Sequence, residues 1–121
     1  TYYTAITSNP IDLDLPGWEE YYADGGAGYR ALLSPRREQG QVADLDLGVV
    51  YRPSILGDER SSTTALVSEC LLDGGVFKMP DGSLANGSRP GVSETAKWAR
   101  MSLIGDRWLI VAEGTIEGGC V

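Results

Sequence analysis

Hydrophobic and polar residues alternate most clearly near the end of the chain, where two largely apolar runs meet at Gly105-Asp106. Glycine tolerates the positive φ that a two-residue hairpin turn needs at its first central position. The pattern therefore predicts a β-hairpin. One face of this hairpin is expected to carry three cross-strand pairs: Leu103 with Trp108, Met101 with Ile110, and Ala99 with Ala112.

The other face of the predicted hairpin carries Trp98 and Arg100, with Glu113 nearly opposite Arg100. A strand pair this apolar has to cover either a helix or a pocket. Trp108 shares a face with Leu103 and is expected in the core. Trp98 suits a core position and an interaction surface equally well, since an exposed tryptophan is typical of binding surfaces.

The first part of the chain has helical rather than strand periodicity. Residues 2–7 predict a short helix, and residues 14–23 predict a second one. A third helix is expected over residues 27–39, with Gly40 as its C-terminal stop. Pro35 is expected to interrupt or kink this third helix, because proline lacks the N–H that the helical ladder uses.

Beyond residue 40 the apolar period becomes two. Strands are predicted over residues 42–51, 63–72 and 76–79, and the second of them places Leu66, Cys70 and Leu72 on one face. A polar, glycine-rich loop over residues 84–92 precedes the hairpin. Helices followed by strands predict an α+β fold, with two or three N-terminal helices packed on a curved antiparallel sheet of four to five strands. No linker interrupts the pattern, so residues 1–121 are predicted to form one domain.

Composition narrows the range of partners. The chain has 10 basic and 17 acidic residues and a net charge of −7. Nucleic-acid binding depends on a clustered positive surface, so neither nucleic acid nor an anionic membrane surface is expected as a partner. No apolar run approaches the roughly 18 residues of a membrane-spanning helix, so no transmembrane segment is predicted in this chain.

The absence of histidine limits the chemistry further. It removes Ser/His and Cys/His nucleophilic pairs and histidine-ligated metals. Two thiols alone cannot form the usual four-ligand zinc site, so neither a metal site nor a cofactor is predicted. Cys70 and Cys120 each lie on or beside a predicted strand. A disulfide between them is favoured over two unrelated buried thiols, and it would imply an oxidising, extracytoplasmic location, secreted or anchored to the cell envelope.

The first residues of the chain resemble the last turn of a helix whose beginning is missing. We therefore expect a signal or anchor segment to be missing from the N-terminus.

Three motifs occur in order along the second half of the chain: Glu69-Cys70-Leu71-Leu72-Asp73-Gly74, residues 101–108, and Gly118-Gly119-Cys120. Together with the Pro-Gly-Trp and Tyr-Arg-Ala-Leu-Leu helices upstream, they resemble the NTF2-like (cystatin-like cone) superfamily. More narrowly, the chain resembles the small secreted or lipid-anchored domains of actinobacteria and their phages. The resemblance covers most of the chain and is specific mainly over residues 67–121.

This resemblance implies a sheet that wraps around a long helix and leaves a cavity at its open end. Many members bind apolar ligands in that cavity, whereas others are noncatalytic partners or dimerise through the sheet. The expected partner is therefore another protein, a small apolar ligand in the cavity, or a second copy of this chain. The candidate binding residues are Tyr29, Tyr51, Trp98 and Arg100.

The resemblance also leaves two enzymatic uses open. Isomerase-type members pair a carboxylate base with a tyrosine or a protonated carboxyl, and epoxide-hydrolase-type members arrange Asp, Arg and Asp around a water. The candidate side chains for such chemistry are Arg100, Glu113 and Asp46, with Asp44 and Glu69 as further carboxylates and Tyr29 or Tyr51 as donors. The competing interpretation is that Arg100 and Glu113 form an ordinary cross-strand ion pair.

No catalytic residue is therefore assigned. The first hypothesis is a noncatalytic extracytoplasmic binding or interaction domain, the soluble part of an envelope lipoprotein or a secreted protein encoded by a bacterium or a phage. The alternatives are a small cavity enzyme of the isomerase or epoxide-hydrolase type and a homodimeric structural module. Fold class alone does not select among them.

Overall fold

The computed structural model describes residues 1–120; Val121, the last residue of the predicted domain, lies outside the described residues. Three helices come first: α1 (Tyr2–Thr7), α2 (Gly17–Tyr21) and α3 (Ala27–Glu38). The strands are β1 (Val42–Asp44), β2 (Val49–Ile55), β3 (Thr64–Asp73), β4 (Val76–Lys78), β5 (Ser93–Ile104) and β6 (Arg107–Ile116), with a 3-10 turn at Gly57–Glu59. All strand pairs are antiparallel. The predicted α+β class is confirmed.

The strands form two sheets rather than the one that was predicted. β1 pairs with β4, and the other four lie in the order β2-β3-β5-β6. The predicted strand 42–51 is wrong, because the chain turns between β1 and β2. In that turn the Asp46 N–H donates to Asp44 Oδ1 at 2.9 Å, and Gly48 has a φ of +83°, which glycine adopts without strain. β2 then continues through Pro53, which is tolerated because β2 is an edge strand.

The most buried side chains lie in the helical layer. Ala5, Ile6, Ile11, Trp18 and Leu33 form one cluster, against which several tyrosines and Phe77 pack. Burial of these apolar surfaces is the main force that holds the three short helices together, since helices of this length are marginal on their own. α3 runs through Pro35 without ending there, and a positive φ of 69° at Gly40 terminates the helical region.

The four-stranded sheet has two distinct faces. The inner face, which is turned toward the helices, carries Tyr51, Glu69, Lys97 and Ala99, among others; the outer face carries Cys70. The prediction that Leu66, Cys70 and Leu72 share a face is confirmed by the register, and that face is the outer one. Side-chain alternation along each strand therefore decides which polar residues meet the helices.

The C-terminal hairpin is confirmed, as are the pairs Leu103–Trp108 and Met101–Ile110. Beyond these pairs a bulge shifts the register, so that Ala99 lies opposite Glu113 and Arg100 opposite Ala112. The predicted Ala99–Ala112 pair is wrong, and so is the Arg100–Glu113 ion pair, because the two charged residues now lie on opposite faces. The extra residue in β6 is Val111. Beside it the Ile110 carbonyl accepts a 2.9 Å hydrogen bond from the Ala23 N–H, which anchors the helical layer to this edge strand.

The tryptophans are not distributed as predicted. Trp108 was expected in the core, but it is 36% exposed, because it follows the hairpin turn at the end of the sheet. Trp18 is the core tryptophan, at 1% exposed. Trp98 is half-buried on the outer face, where its indole lies against Gly114 and leaves no room for a Cβ at that position.

The disulfide between Cys70 and Cys120 is confirmed, with a Cα–Cα distance of 5.5 Å. After β6 the chain turns at Gly118 and Gly119, both of which have positive φ, and crosses the outer face past β5 to reach β3. The Cys120 N–H donates to Glu94 Oε1 at 2.8 Å on the way. The covalent link therefore ties the end of the chain to an inner strand of the sheet. Within residues 1–120, no helix combines the length and apolar content needed to cross a membrane.

Candidate functional site: a tyrosine-lined pocket

A pocket of about 440 Å³ lies between the helices and the inner face of the four-stranded sheet. Apolar side chains of the sheet form part of its wall, including Val67, Leu71, Ala99, Met101 and Ile110. We call it the tyrosine pocket, because five tyrosines line it: Tyr2, Tyr3, Tyr22, Tyr29 and Tyr51.

Each layer of the fold contributes to this set of rings. α1 supplies Tyr2 and Tyr3, the residue after α2 is Tyr22, α3 supplies Tyr29, and the edge strand β2 supplies Tyr51. The rings form a continuous chain of aromatic contacts, with centroid distances of 5.4 Å for Tyr22–Tyr29, 5.3 Å for Tyr2–Tyr29, 5.2 Å for Tyr2–Tyr3 and 5.9 Å for Tyr3–Tyr51. Contacts at these distances and tilts are favourable for aromatic rings and restrict their orientation.

One tyrosine hydroxyl is tied to a carboxylate of β3. Tyr3 donates to Asp73 Oδ2 at 3.0 Å, while Asp73 Oδ1 accepts the Gly75 N–H at 2.6 Å. Burial raises the pKa of Tyr3 well above its ordinary value, and the hydrogen bond to Asp73 raises it further. Tyr3 is therefore a neutral phenol whose donor is already used.

A second tyrosine–carboxylate pair joins α3 to β6. Tyr29 donates to Glu113 Oε2 at 3.2 Å. Burial, followed by the Glu113 charge, raises the pKa of Tyr29 far above its ordinary range and raises that of Tyr22 to about 12. Burial also raises the pKa of Tyr2, although the nearby Arg36 opposes the shift. These rings thus remain uncharged at neutral pH.

The remaining charged residues of the tyrosine pocket face each other on neighbouring strands. Glu69 on β3 lies directly opposite Lys97 on β5, on the inner face. No salt bridge joins the two side chains within residues 1–120, so both charges face the pocket. The pocket therefore contains both hydrogen-bonding and charged groups above an apolar floor.

The outer face carries a second large concavity, of about 590 Å³. It lies beside the disulfide, and its lining includes Arg52, Glu94, Leu72, Ala96 and Ile116. It contains no aromatic side chain and no tyrosine–carboxylate pair. We therefore regard the smaller inner pocket as the better candidate site, since convergent polar groups over aromatic and apolar walls are typical of ligand sites.

The structure brings only part of the predicted site together. Tyr29, Tyr51, Glu69 and Glu113 all line the tyrosine pocket. Trp98 and Arg100 do not, because the register places them on the outer face. They remain candidates for a protein contact there, separate from the pocket.

Two predicted carboxylates lie elsewhere. Asp46 is exposed in the turn between β1 and β2. Asp44 on β1 accepts a 2.6 Å hydrogen bond from Lys78 on β4. That hydrogen bond lowers the pKa of Asp44, and this residue is engaged in holding the small sheet together. Neither aspartate lines the tyrosine pocket.

The pocket is also lined by Tyr2, Tyr3, Tyr22, Asp73 and Lys97, which were not predicted as site residues from the sequence. The frequency of tyrosine in the N-terminal helices was a usable signal, because a phenol combines an apolar ring with a hydroxyl that needs a polar partner and therefore suits the edge of a core. Asp73 was interpreted as a residue that stabilises a turn. Its Oδ1 does accept the Gly75 N–H, but its Oδ2 accepts the Tyr3 hydroxyl. Among residues 1–120, no group of three or more His, Cys, Asp or Glu side chains is arranged to hold a metal ion.

Comparisons with known proteins bear on the fold. Neither a protein-family profile nor a curated protein sequence matches the chain. The structure is similar to the crystal structure of the intermembrane space region of chloroplast protein ARC6, with a TM-score of 0.67 and 12% sequence identity. The match covers 95% of this chain and 85% of that chain. At this identity the similarity concerns the fold alone.

Proposed function

We propose that this chain is a noncatalytic, extracytoplasmic binding domain of the NTF2-like type, and that it takes up a small organic ligand in the tyrosine pocket. The observation that carries this proposal is the pocket itself, about 440 Å³ of space between the helices and the sheet, lined by five tyrosines. Its volume falls within the range of roughly 300–1,000 Å³ that is typical of small-molecule sites.

The contacts of the tyrosines support a binding role. Tyr3 and Tyr29 are each held by a hydrogen bond to a carboxylate, and every ring of the set contacts another. A ligand entering the pocket would therefore meet side chains that are already ordered, which lowers the entropic cost of binding. Four of the rings are half-buried and Tyr51 is exposed, and together they offer apolar surface and hydroxyl groups.

Further observations support the proposed location, fold type and noncatalytic role. The disulfide between Cys70 and Cys120 is typical of proteins from oxidising compartments. An NTF2-like cone would require helices that precede a bent antiparallel sheet, with a pocket between the helices and the sheet. The lack of histidine supports the noncatalytic assignment.

The proposal is tested by filling the pocket. Ala99 and Ser102 are both half-buried on β5, but Ala99 lines the tyrosine pocket, whereas Ser102 lies on the outer face. Ala99→Phe should abolish the binding of small-molecule fragments, and Ser102→Phe should not. Ligand-observed NMR with a mixed set of neutral and charged fragments measures this. The proposal fails if the wild type binds none of them, or if Ala99→Phe binds them as well as the wild type does.

One observation favours a second candidate function, a cavity enzyme of the isomerase type. Tyr29 and Glu113 place a phenol and a carboxylate together in the pocket, and these are the two groups such chemistry uses. If this is correct, Glu113 would remove a proton from the carbon next to a ketone, and the proton would exchange with solvent. Exchange of a cyclic ketone in deuterated buffer, followed by NMR, distinguishes the two functions. A rate equal to that of buffer alone favours the binding domain.

A further inference from the structure

Negative charge is in excess among the side chains of the tyrosine pocket. Glu69, Asp73 and Glu113 contribute three carboxylates, and Lys97 contributes the one ammonium. Glu69 lies opposite Lys97 in the register. Asp73 and Glu113 each accept a tyrosine hydroxyl, but within residues 1–120 neither forms a salt bridge. Within residues 1–120, none of the three pocket carboxylates therefore forms a salt bridge, and Lys97 is the cationic side chain nearest to Glu69 in the register.

The Glu113 end of the tyrosine pocket borders a second space. Tyr22, Tyr29, Ile110 and Glu113 separate the tyrosine pocket from a neighbouring cavity of about 300 Å³ and line both spaces. Asp24 lines that neighbouring cavity and adds a carboxylate. Its oxygens accept the N–H groups of Gly26, just before α3, and of Gly28 in the first turn of α3, so this charge is fixed in place.

The aromatic rings at this end are suited to a cation. Tyr22 and Tyr29 have their ring centroids 5.4 Å apart at an interplanar angle of 70°, so the two rings form a corner. The faces of aromatic rings attract cations, most strongly where water is partly excluded. Because both phenols stay protonated at neutral pH, an incoming cation does not have to displace a proton from them.

We infer that the tyrosine pocket selects a small organic cation, an ammonium ion carrying alkyl groups, which lies in the corner formed by the rings of Tyr22 and Tyr29, beside the carboxylate of Glu113. This inference rests on the proposed ligand-binding function and names its ligand class. The alkyl groups contact Ile110 and the tyrosine rings, and the charge is balanced by Glu113. An inorganic cation is not favoured, because it would gain nothing from the apolar wall.

The position of Lys97 in the sheet leads to a second prediction about cation binding. It lies opposite Thr115, so Glu113 is its diagonal neighbour on the inner face of the sheet. Diagonal neighbours in an antiparallel pair have Cα atoms about 7–8 Å apart, which is close enough for a lysine to compete for the carboxylate. Removing this positive charge should therefore strengthen the binding of a cation.

The test compares choline with its neutral carbon isostere, 3,3-dimethylbutan-1-ol, by isothermal titration calorimetry on the whole chain. Choline should bind at least roughly fivefold more tightly than the isostere, given the usual strength of cation–aromatic contacts. Glu113→Gln should weaken choline binding by about five- to tenfold and leave the isostere unchanged. Glu117→Gln is the matched control, since Glu113 and Glu117 are both exposed but Glu117 lies outside the pocket.

The outcomes separate this inference from the proposed function. If the isostere binds as tightly as choline, or if Glu117→Gln weakens choline as much as Glu113→Gln does, cation selection is overturned while ligand binding stands. If neither compound binds, the ligand class is also overturned, and the pocket-filling experiment with Ala99→Phe decides the proposed function separately. Should Glu113→Gln fail to fold, Lys97→Gln provides the second variant: unchanged or weaker choline binding would contradict the inference.

Discussion

The Tyr29 hydroxyl donates a hydrogen bond of 3.2 Å to Glu113, a residue 84 positions later in the chain. This contact joins the longest helix, α3, to the edge strand β6. It depends on the bulge at Val111, since an uninterrupted register would turn Glu113 toward the outer face. One inserted residue therefore decides whether the pocket carries this carboxylate.

Replacing Glu113 with Gln should lower the pKa values of Tyr22 and Tyr29. The Glu113 charge is the largest cause of both shifts after burial, so each value should fall toward, but not reach, the ordinary 10.0. For Tyr22 the starting value is about 12. Titration of the near-ultraviolet absorbance of phenolate measures the change. Glu117→Gln is the control, and an identical effect of the two substitutions would contradict the assignment.

The stability of the protein should fall at alkaline pH. A tyrosine in the unfolded chain ionises near its ordinary 10.0, whereas folded Tyr22 ionises at about 12. Between these values the unfolded state has lost a proton that the folded state retains, so the free energy of unfolding decreases as pH rises. Below pH 10 this contribution is fully present.

Denaturant unfolding at steps through that pH interval measures the effect. Tyr22→Phe should make the decrease shallower, because the substituted ring cannot ionise. The matched control is Tyr21→Phe, which removes a hydroxyl from a neighbouring ring that is 55% exposed and should leave the slope unchanged. A slope that is the same in wild type and Tyr22→Phe would show that this residue does not set the alkaline limit.

The order of the elements was predictable from the sequence, because it is set by local signals. The hairpin turn at Gly105-Asp106 requires a positive φ, and Gly105 has a φ of +66°. The helices end where glycine or proline follows them, and the strands show period-two alternation. The pairing of Cys70 with Cys120 was also favoured from the sequence, since few alternatives exist for two cysteines in a chain of this size.

The pocket itself was less predictable, because its geometry depends on contacts between distant segments. No local pattern marks Val111 as a bulge; the bulge occurs where the segment after α2 bonds to Ile110. Predicting an unbroken register therefore misplaced Glu113 relative to Arg100. Similarly, Asp44 and Asp46 alternate with apolar residues, which is the pattern of a strand. The chain nevertheless turns there, because the Asp44 carboxylate accepts the Asp46 N–H.

The tryptophans provide a matched stability test. Trp18→Ala should lower the free energy of unfolding by about 3–5 kcal/mol, because it empties a large buried site in the helical layer. Trp108→Ala should cost less than Trp18→Ala, since Trp108 is 36% exposed. Trp18→Phe should be milder than Trp18→Ala, because the indole Nε1 has no hydrogen-bond partner within residues 1–120 and loses none. Chemical denaturation monitored by circular dichroism measures all three; equal losses for Trp18→Ala and Trp108→Ala would contradict the assignment of the core.

The disulfide should contribute measurably to stability. Cys70 and Cys120 are 50 positions apart, and closing a loop of this length restricts the unfolded chain, which typically stabilises the native state by about 2–4 kcal/mol. The double variant Cys70→Ala/Cys120→Ala should lose about that much in denaturant unfolding, and the wild type in reducing buffer should match it. Protein secreted to a bacterial periplasm should resist alkylation at both cysteines in mass spectrometry. Two alkylated cysteines in that sample would contradict the bond, and with it the principal support for an extracytoplasmic location, because nothing else in the described residues ties the chain to an oxidising compartment.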